Sequence, residues 1–232
     1  MRNDYPSGVL SMNASIDQRP ALLELAGEPI GPFSLRSRGE IPTGAEHKFL
    51  ETLFNDNGES IATIVPPDLS VRIGLSDPGE VPDCFKASGR IIVSTAFKKV
   101  VEAFDISDTE FFPLKVVTTA PGADFESDWR VGATLENYWL MNCWNRLDAT
   151  NYIDVENSDL KWQKSFVGHR PPWITGWERL VLKKQINADL WGLADNMPRR
   201  RFVSKRLKDA ADAAGLRVGI FQKPLVRRAS GG

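Results

Sequence analysis

Two stretches of the chain run through apolar and polar positions in the same order. Residues 93–114 read VSTAFKKVVEAFDISDTEFFPL, and residues 203–225 read VSKRLKDAADAAGLRVGIFQKPL. Each starts at the end of a short run of β-favouring side chains, RIIV at 90–93 and RRFV at 200–203, which predicts a strand. A Ser follows in both, and its hydroxyl suits the first free N–H groups of a helix. Phe97, Val100, Val101 and Phe104 recur at spacings of three and four, as do Leu207, Ala210, Ala211 and Ala214, so each predicted helix has one apolar face. Gly215 is suited to end the second helix, and Asp105 holds the corresponding place in the first. Strand-like runs come next, at 110–117 and 218–221, and Pro-Leu closes both segments. About sixteen residues lie between the two strands of the first segment, enough for a helix crossing between parallel strands. Either one β-helix-β unit is present twice by duplication, or a common supersecondary unit recurs.

Elsewhere the pattern is less regular. Prolines 6, 20, 29, 32, 42, 66, 67, 78 and 82 punctuate the first 85 residues, which predicts short strands at 21–25, 61–65 and 71–75 and one short helix at 46–54. In the middle of the chain, Leu135, Tyr138, Trp139, Asn142, Trp144 and Leu147 read as a helix with a broad apolar face. Residues 152–155 and 179–182 read as strands, and the Pro- and Gly-bearing stretch 157–178 as a long surface loop. The expected fold class is α+β: a mixed sheet with two similar β-helix-β units and a Pro-rich, strand-bearing N-terminal region. The division expected is an irregular, strand-bearing region over 1–85 and an α+β domain over 86–232.

At 232 residues the chain is long enough to build a core without metal or disulfide support, and neither is expected. Cys84 and Cys143 lack metal-type spacing and read as reduced structural thiols. The N-terminus has no apolar run of signal-peptide length, and no stretch approaches a membrane span, so the expected location is the cytoplasm.

Charge is near balance overall but strongly divided. Residues 1–160 hold 13 Lys and Arg against 25 Asp and Glu, whereas residues 161–232 hold 16 against 5. Such polarity either steers a charged partner to one face or is neutralised internally. The carboxylates concentrate in GADFESDW, as Asp124, Glu126 and Asp128 with Trp129 beside them, and again at Asp154, Glu156 and Asp159. No Gly-turn with a terminal bidentate Glu accompanies either group, so no metal site is expected, and the choice is between a solvated rim and a docking surface for a basic partner. Trp173 and Trp177 flank a Gly-bearing turn and form a second candidate contact.

Catalytic signatures are lacking. There is no nucleophile elbow, phosphate-binding loop, paired-histidine metal motif or dinucleotide fingerprint, and the two histidines, His47 and His169, stand alone. Cys143 lies in YWLMNCWN, an apolar setting that shields a thiol. No enzyme activity and no cofactor are expected. Arginines 199 to 201, with Lys205, Arg206 and Lys208, offer an alternative reading as a nucleic-acid-binding adaptor, but no recognised nucleic-acid module accompanies them.

The order of these segments resembles a bacterial family of immunity proteins from polymorphic-toxin systems, immunity family eleven, first described as a domain of unknown function in a myxobacterial protein. The similar elements are Val93-Ser94 with Phe97 and Lys98, the Phe111-Phe112-Pro113-Leu114 close, Tyr138-Trp139-Leu140 with Asn142, and Leu147-Asp148. Val203-Ser204 with Leu207, Ala214-Gly215-Leu216 and Pro224-Leu225 complete them. The likeness covers residues 85 to 226. It departs at Asp105, where a turn glycine is the family's habit, and in the long, Trp-rich stretch 157–178. The resemblance implies a protein that binds and silences a cognate toxin delivered to neighbouring bacteria, and it carries over no catalytic residue and no toxin-contact residue.

Overall fold

In the computed structural model the residues described are 23–25, 27, 28, 30, 33–37, 60–63, 65, 68–87, 90–104, 106–128, 130–163, 173–183, 186–193, 200–222 and 226–228. They form three sheets. The largest contains β2 (Phe33–Ser37), β3 (Leu69–Ile73), β4 (Cys84–Ala87), β5 (Arg90–Ser94), β6 (Thr109–Thr119) and β7 (Val131–Cys143), in the spatial order β2-β3-β6-β7-β5-β4. It is mixed, because β3 runs parallel to β6 while its other pairings are antiparallel.

A five-stranded sheet has the order β13-β1-β12-β11-β8, built from β1 (Leu23–Leu25), β8 (Arg146–Leu147), β11 (Leu190–Leu193), β12 (Arg201–Val203) and β13 (Ile220–Gln222). The third sheet sets β10 (Trp173–Leu182) between β9 (Asp159–Gln163) and β14 (Val226–Arg228). Three α-helices are described: α1 (Thr95–Glu102), the single turn α2 (Ala149–Tyr152) and α3 (Lys205–Ala213). Strands with these helices make the α+β class expected from the sequence.

Parity along the strands sorts the side chains into layers, because successive residues point to opposite faces of a sheet. From β5 and β7, Ile92, Tyr138 and Leu140 enter one core together with Val71, Phe85, Leu114 and Val116. Their neighbours Ile91, Val93, Met141 and Cys143 enter a second core on the opposite face, with Phe97 and Val101 of α1 and Leu207 and Ala211 of α3. The five-stranded sheet backs that second core through Leu190 and Val203. Its other face, Trp191, Leu193 and Phe202, packs with Ile174, Leu180 and Leu182 of β10 into a third core. Each fully buried Phe or Leu contributes roughly 1.5–3 kcal/mol of transfer free energy, so the layers, more than helix propensity, hold the short helices in place.

Two corners of the fold are built alike. Ser94 caps α1 by accepting from the Phe97 N–H, donates its own hydroxyl to the Asp83 carboxylate at 2.6 Å, and donates its backbone N–H to the Asp83 carbonyl at 2.8 Å. Ser204 caps α3 through the Leu207 N–H, donates its hydroxyl to Asp189, and gives its N–H to the Asp189 carbonyl at 2.9 Å. Asp83 immediately precedes β4, which pairs with β5, and Asp189 immediately precedes β11, which pairs with β12. Beyond the helices, β5 and β6 both run antiparallel to the β7 between them, and β12 and β13 both run antiparallel to β1. Helix α3 ends as its sequence suggests: Gly215 takes φ 68°, its N–H meets the Asp212 carbonyl, and Leu216 N–H reaches back to Ala211. Residue 105, at the matching place after α1, lies outside the described residues.

Several expected elements differ. Residues 131–143 form the long strand β7 where the spacing of apolar residues suggests a helix. The reason is that this strand has a core on each face, so its inner half is apolar but for the buried Asn142 and imitates a buried helix. Residues 149–152 make the α2 turn, and Ile153 contributes only a bridge to Leu182 where a strand is expected. The stretch 157–178 is not one loop, since it contains β9 and the start of β10, paired antiparallel. Residues 61–63 form a turn closed by Val65 N–H to the Ile61 carbonyl, not a strand. The helix expected at 46–54 lies outside the described residues.

Candidate partner-docking surface

The hairpin of β6 and β7 carries the first acidic cluster on its connecting loop. Asp124, Glu126 and Asp128 are all exposed there, while Trp129 lies outside the described residues. Asp124 organises the loop: one of its oxygens accepts the Ser127 N–H at 2.7 Å, the Ser127 hydroxyl at 2.7 Å and the Glu126 N–H at 3.0 Å. These bonds, led by the Ser127 N–H, hold its carboxyl below the usual Asp range. Asp128 pairs with Arg130 at 3.2 Å. The loop therefore presents negative charge from a defined backbone conformation.

The second acidic run is occupied with its own structure. Asp154 accepts from the side chain and backbone of Asn157, whose amide is the main cause of its lowered pKa. Asp159 on β9 pairs with Arg179 on β10 at 3.0 Å. Among the described residues no cluster of three or more His, Cys, Asp or Glu is placed to hold a metal ion.

Of the two tryptophans expected as a second contact, Trp173 opens β10, and Trp177 is half-buried in the same strand. The Trp177 ring packs at 6.0 Å on Phe202 and lies under the Arg200 guanidinium at 4.7 Å. It thus belongs to the third core on one side. Trp162 on β9 is 53% exposed and was not singled out by its sequence, because the stretch around it reads as a loop. Trp139 donates its indole N–H to Thr95 Oγ1 and is covered by Lys98, whose ammonium stands 4.8 Å from its ring.

The basic run is not presented as one patch. Arg201 is turned into the interior, where its Nε donates to the Cys143 carbonyl at 3.0 Å, and Arg199 lies outside the described residues. On α3, Lys205 pairs with Asp209, Lys208 with Asp212 and Arg206 with Asp189. Both cysteines are buried, and burial pushes the Cys84 thiol far up, the opposite of an activated nucleophile. His47 and His169 lie outside the described residues. No helix among the described residues is long and apolar enough to cross a membrane.

These features define a layered α+β protein that exposes a charged loop between β6 and β7. Residues 76–223, more than half of the chain, match the model of the immunity protein family Imm11, and the chain belongs to that family. A search of curated proteins finds no match.

Proposed function

We propose that this protein neutralises a cognate toxin by forming a stoichiometric complex with its toxic domain, and that the acidic β6–β7 loop meets the toxin first. Membership of the immunity family supports the toxin as partner. The observation that carries the contact is the loop itself, with three exposed carboxylates on a backbone pre-ordered by Asp124. Toxins that act on nucleic acid are commonly basic, and complementary charge raises the rate of encounter more than the final affinity. Trp173 and Trp177 form a second proposed contact, with Arg200 over the Trp177 ring. The protein acts by occupation, without turnover or cofactor, in the cytoplasm, against a toxin delivered by neighbouring bacteria. The two strand-helix-strand segments are, on this reading, copies of one unit, a view supported by the matching Asp83–Ser94 and Asp189–Ser204 corners.

Co-expression with the toxin encoded beside its gene tests the proposal. Protection of the cells and recovery of a one-to-one complex are expected; equal killing with and without the protein, and no complex on pull-down, sinks it. Replacing Asp124, Glu126 and Asp128 by Asn or Gln is expected to slow association and flatten its salt dependence while the protein stays folded. The nucleic-acid adaptor reading expects salt-sensitive binding of DNA or RNA by the protein alone, and the inward position of Arg201 counts against it.

A further inference from the structure

The large sheet is stepped at β7. Its neighbour β5 pairs with β7 only from Met141, opposite Ile91, to Tyr138, opposite Ser94. There the chain turns into α1, and Thr95 Oγ1 closes the ladder by donating to the Asn137 carbonyl at 3.0 Å. Beyond that point β7 continues outward for residues 131–136, still paired with β6 through Leu135 opposite Val116, Thr134 opposite Val117, and Val131 opposite Thr119. On the other side of β6, β3 continues the sheet as far as Ile73 opposite Thr118. On the side of β7 away from β6, no strand among the described residues pairs with residues 131–136. Val131, at 59%, is the most exposed large apolar side chain among them, and Gly132, Thr134 and Glu136 are exposed as well.

A strand edge of this length is a template for another strand, and proteins usually blunt such edges with charge or with bulges. This one has both. Two register shifts fall along the β6–β7 ladder, and Gly132 fits against β6 so closely that a Cβ there would lie 2.7 Å from the Thr119 carbonyl oxygen. Negative charge is in excess: residues 121–137 contain Asp124, Glu126, Asp128 and Glu136 against Arg130 alone, Arg130 is engaged by Asp128, and Glu136 stays exposed although Lys115 of β6 reaches it at 3.6 Å. A second copy of the chain would bring the same carboxylates against them, so self-pairing is disfavoured. A basic strand gains from them instead.

Resting on the immunity reading above, we infer that residues 131–136 of β7 form a strand-addition site, and that its occupant is an extended, basic segment of the toxin domain. Main-chain hydrogen bonds to the open edge supply the affinity, Val131 supplies an apolar contact, and Glu136 with the loop carboxylates selects for Lys and Arg in the incoming strand.

Hydrogen exchange on the unmodified protein, alone and with the toxin domain encoded beside it, tests the inference. In the complex, amides within 131–136 are expected to exchange at least about tenfold more slowly than in the protein alone. Val131→Asp is expected to weaken binding by about thirtyfold. Glu136→Lys is expected to slow association by about tenfold at low salt, and Lys205→Ala on α3 to change neither. Unfolding midpoints of the two edge variants establish that they fold, and the exchange measurement needs no variant. A complex that forms while exchange at 131–136 stays unchanged overturns the edge site and leaves the immunity reading standing. Failure of the unmodified protein to form any complex overturns both.

Discussion

Gly27 and Gly219 cross so closely that their backbones touch: the Gly27 N–H donates to the Gly219 carbonyl at 3.1 Å, and a Cβ on Gly219 would fall 2.5 Å from the Gly27 carbonyl carbon. Both take positive φ, 75° and 60°. The crossing ties the N-terminal segment to the end of the family-matched region. Gly219→Ala is expected to lower stability by about 2–4 kcal/mol, the sum of left-handed strain and backbone collision, as read from urea midpoints. Gly122→Ala, with φ 74° but nothing within 4 Å, isolates the strain and is expected to cost only about 1–2 kcal/mol.

The strand β1 lies outside residues 76–223 yet sits between β12 and β13, with Leu25 fully buried. β3, also outside, fills the first core with Leu69, Val71 and Ile73. A chain starting at residue 76 is therefore expected to show no cooperative unfolding and poor amide dispersion in NMR spectra. A native-like spectrum from that shorter chain would show that neither strand is needed.

At the two capped corners, Ser94→Ala and Ser204→Ala each remove an N-cap and are each expected to cost about 1 kcal/mol. Asp83→Ala is expected to cost more than Ser94→Ala, because Asp83 also accepts the Arg217 N–H at 3.1 Å. Double-mutant cycles of Asp83 with Ser94 and of Asp189 with Ser204 are expected to give coupling of about 0.5 kcal/mol or more in both corners. Coupling in one and none in the other would mean that the likeness is geometric only.

Tyr138 donates its hydroxyl to the carbonyls of Val81 and Pro82, at 3.3 and 3.2 Å. Burial, aided by the Asp83 carboxylate and opposed by Arg217, pushes it up to about 12. Its folded pKa is thus above the unfolded value of about 10. The stabilisation is complete below pH 10 and is lost as pH rises from there through 12. The difference in tyrosinate absorbance between the parent protein and Tyr138→Phe is expected to rise near pH 12, and Tyr138→Phe to lose this alkaline decline in stability. A rise near pH 10 would place the phenol in water.

Local signals were the most legible part of this fold. The Ser caps at 94 and 204, the buried faces Phe97 with Val101 and Leu207 with Ala211, and the Gly215 end all follow from neighbouring residues and are present, whereas Phe104 and Ala214 fall beyond the helix ends and Ala214 is exposed. What misled was the middle of the chain, because Trp139, Met141 and Cys143 on one face of β7 and Tyr138 and Leu140 on the other read together as an apolar helix. The partners Asp83 and Asp189 stand at unequal distances before their serines, so no constant offset reveals them. The charge of Asp124, Glu126 and Asp128 was visible from composition, but the length of β7 beside them that no described strand pairs on its outer side was not. It exists because β5 turns away at Ser94, a long-range event that the residues of 131–136 do not encode.

The position of β1 also sets an order of events during synthesis. The β6–β7 hairpin joins neighbouring segments and can form as soon as they emerge, whereas Leu23 must find Gln222, made almost a whole chain later. Its other neighbour, β12, is also made late, with Val203 opposite Leu23, and contacts so distant in sequence form slowly. A ribosome still at work thus displays the charged arm before the layer that supports it is closed. The five-stranded layer, and any contact that leans on it, is complete only once residue 222 has been made and paired.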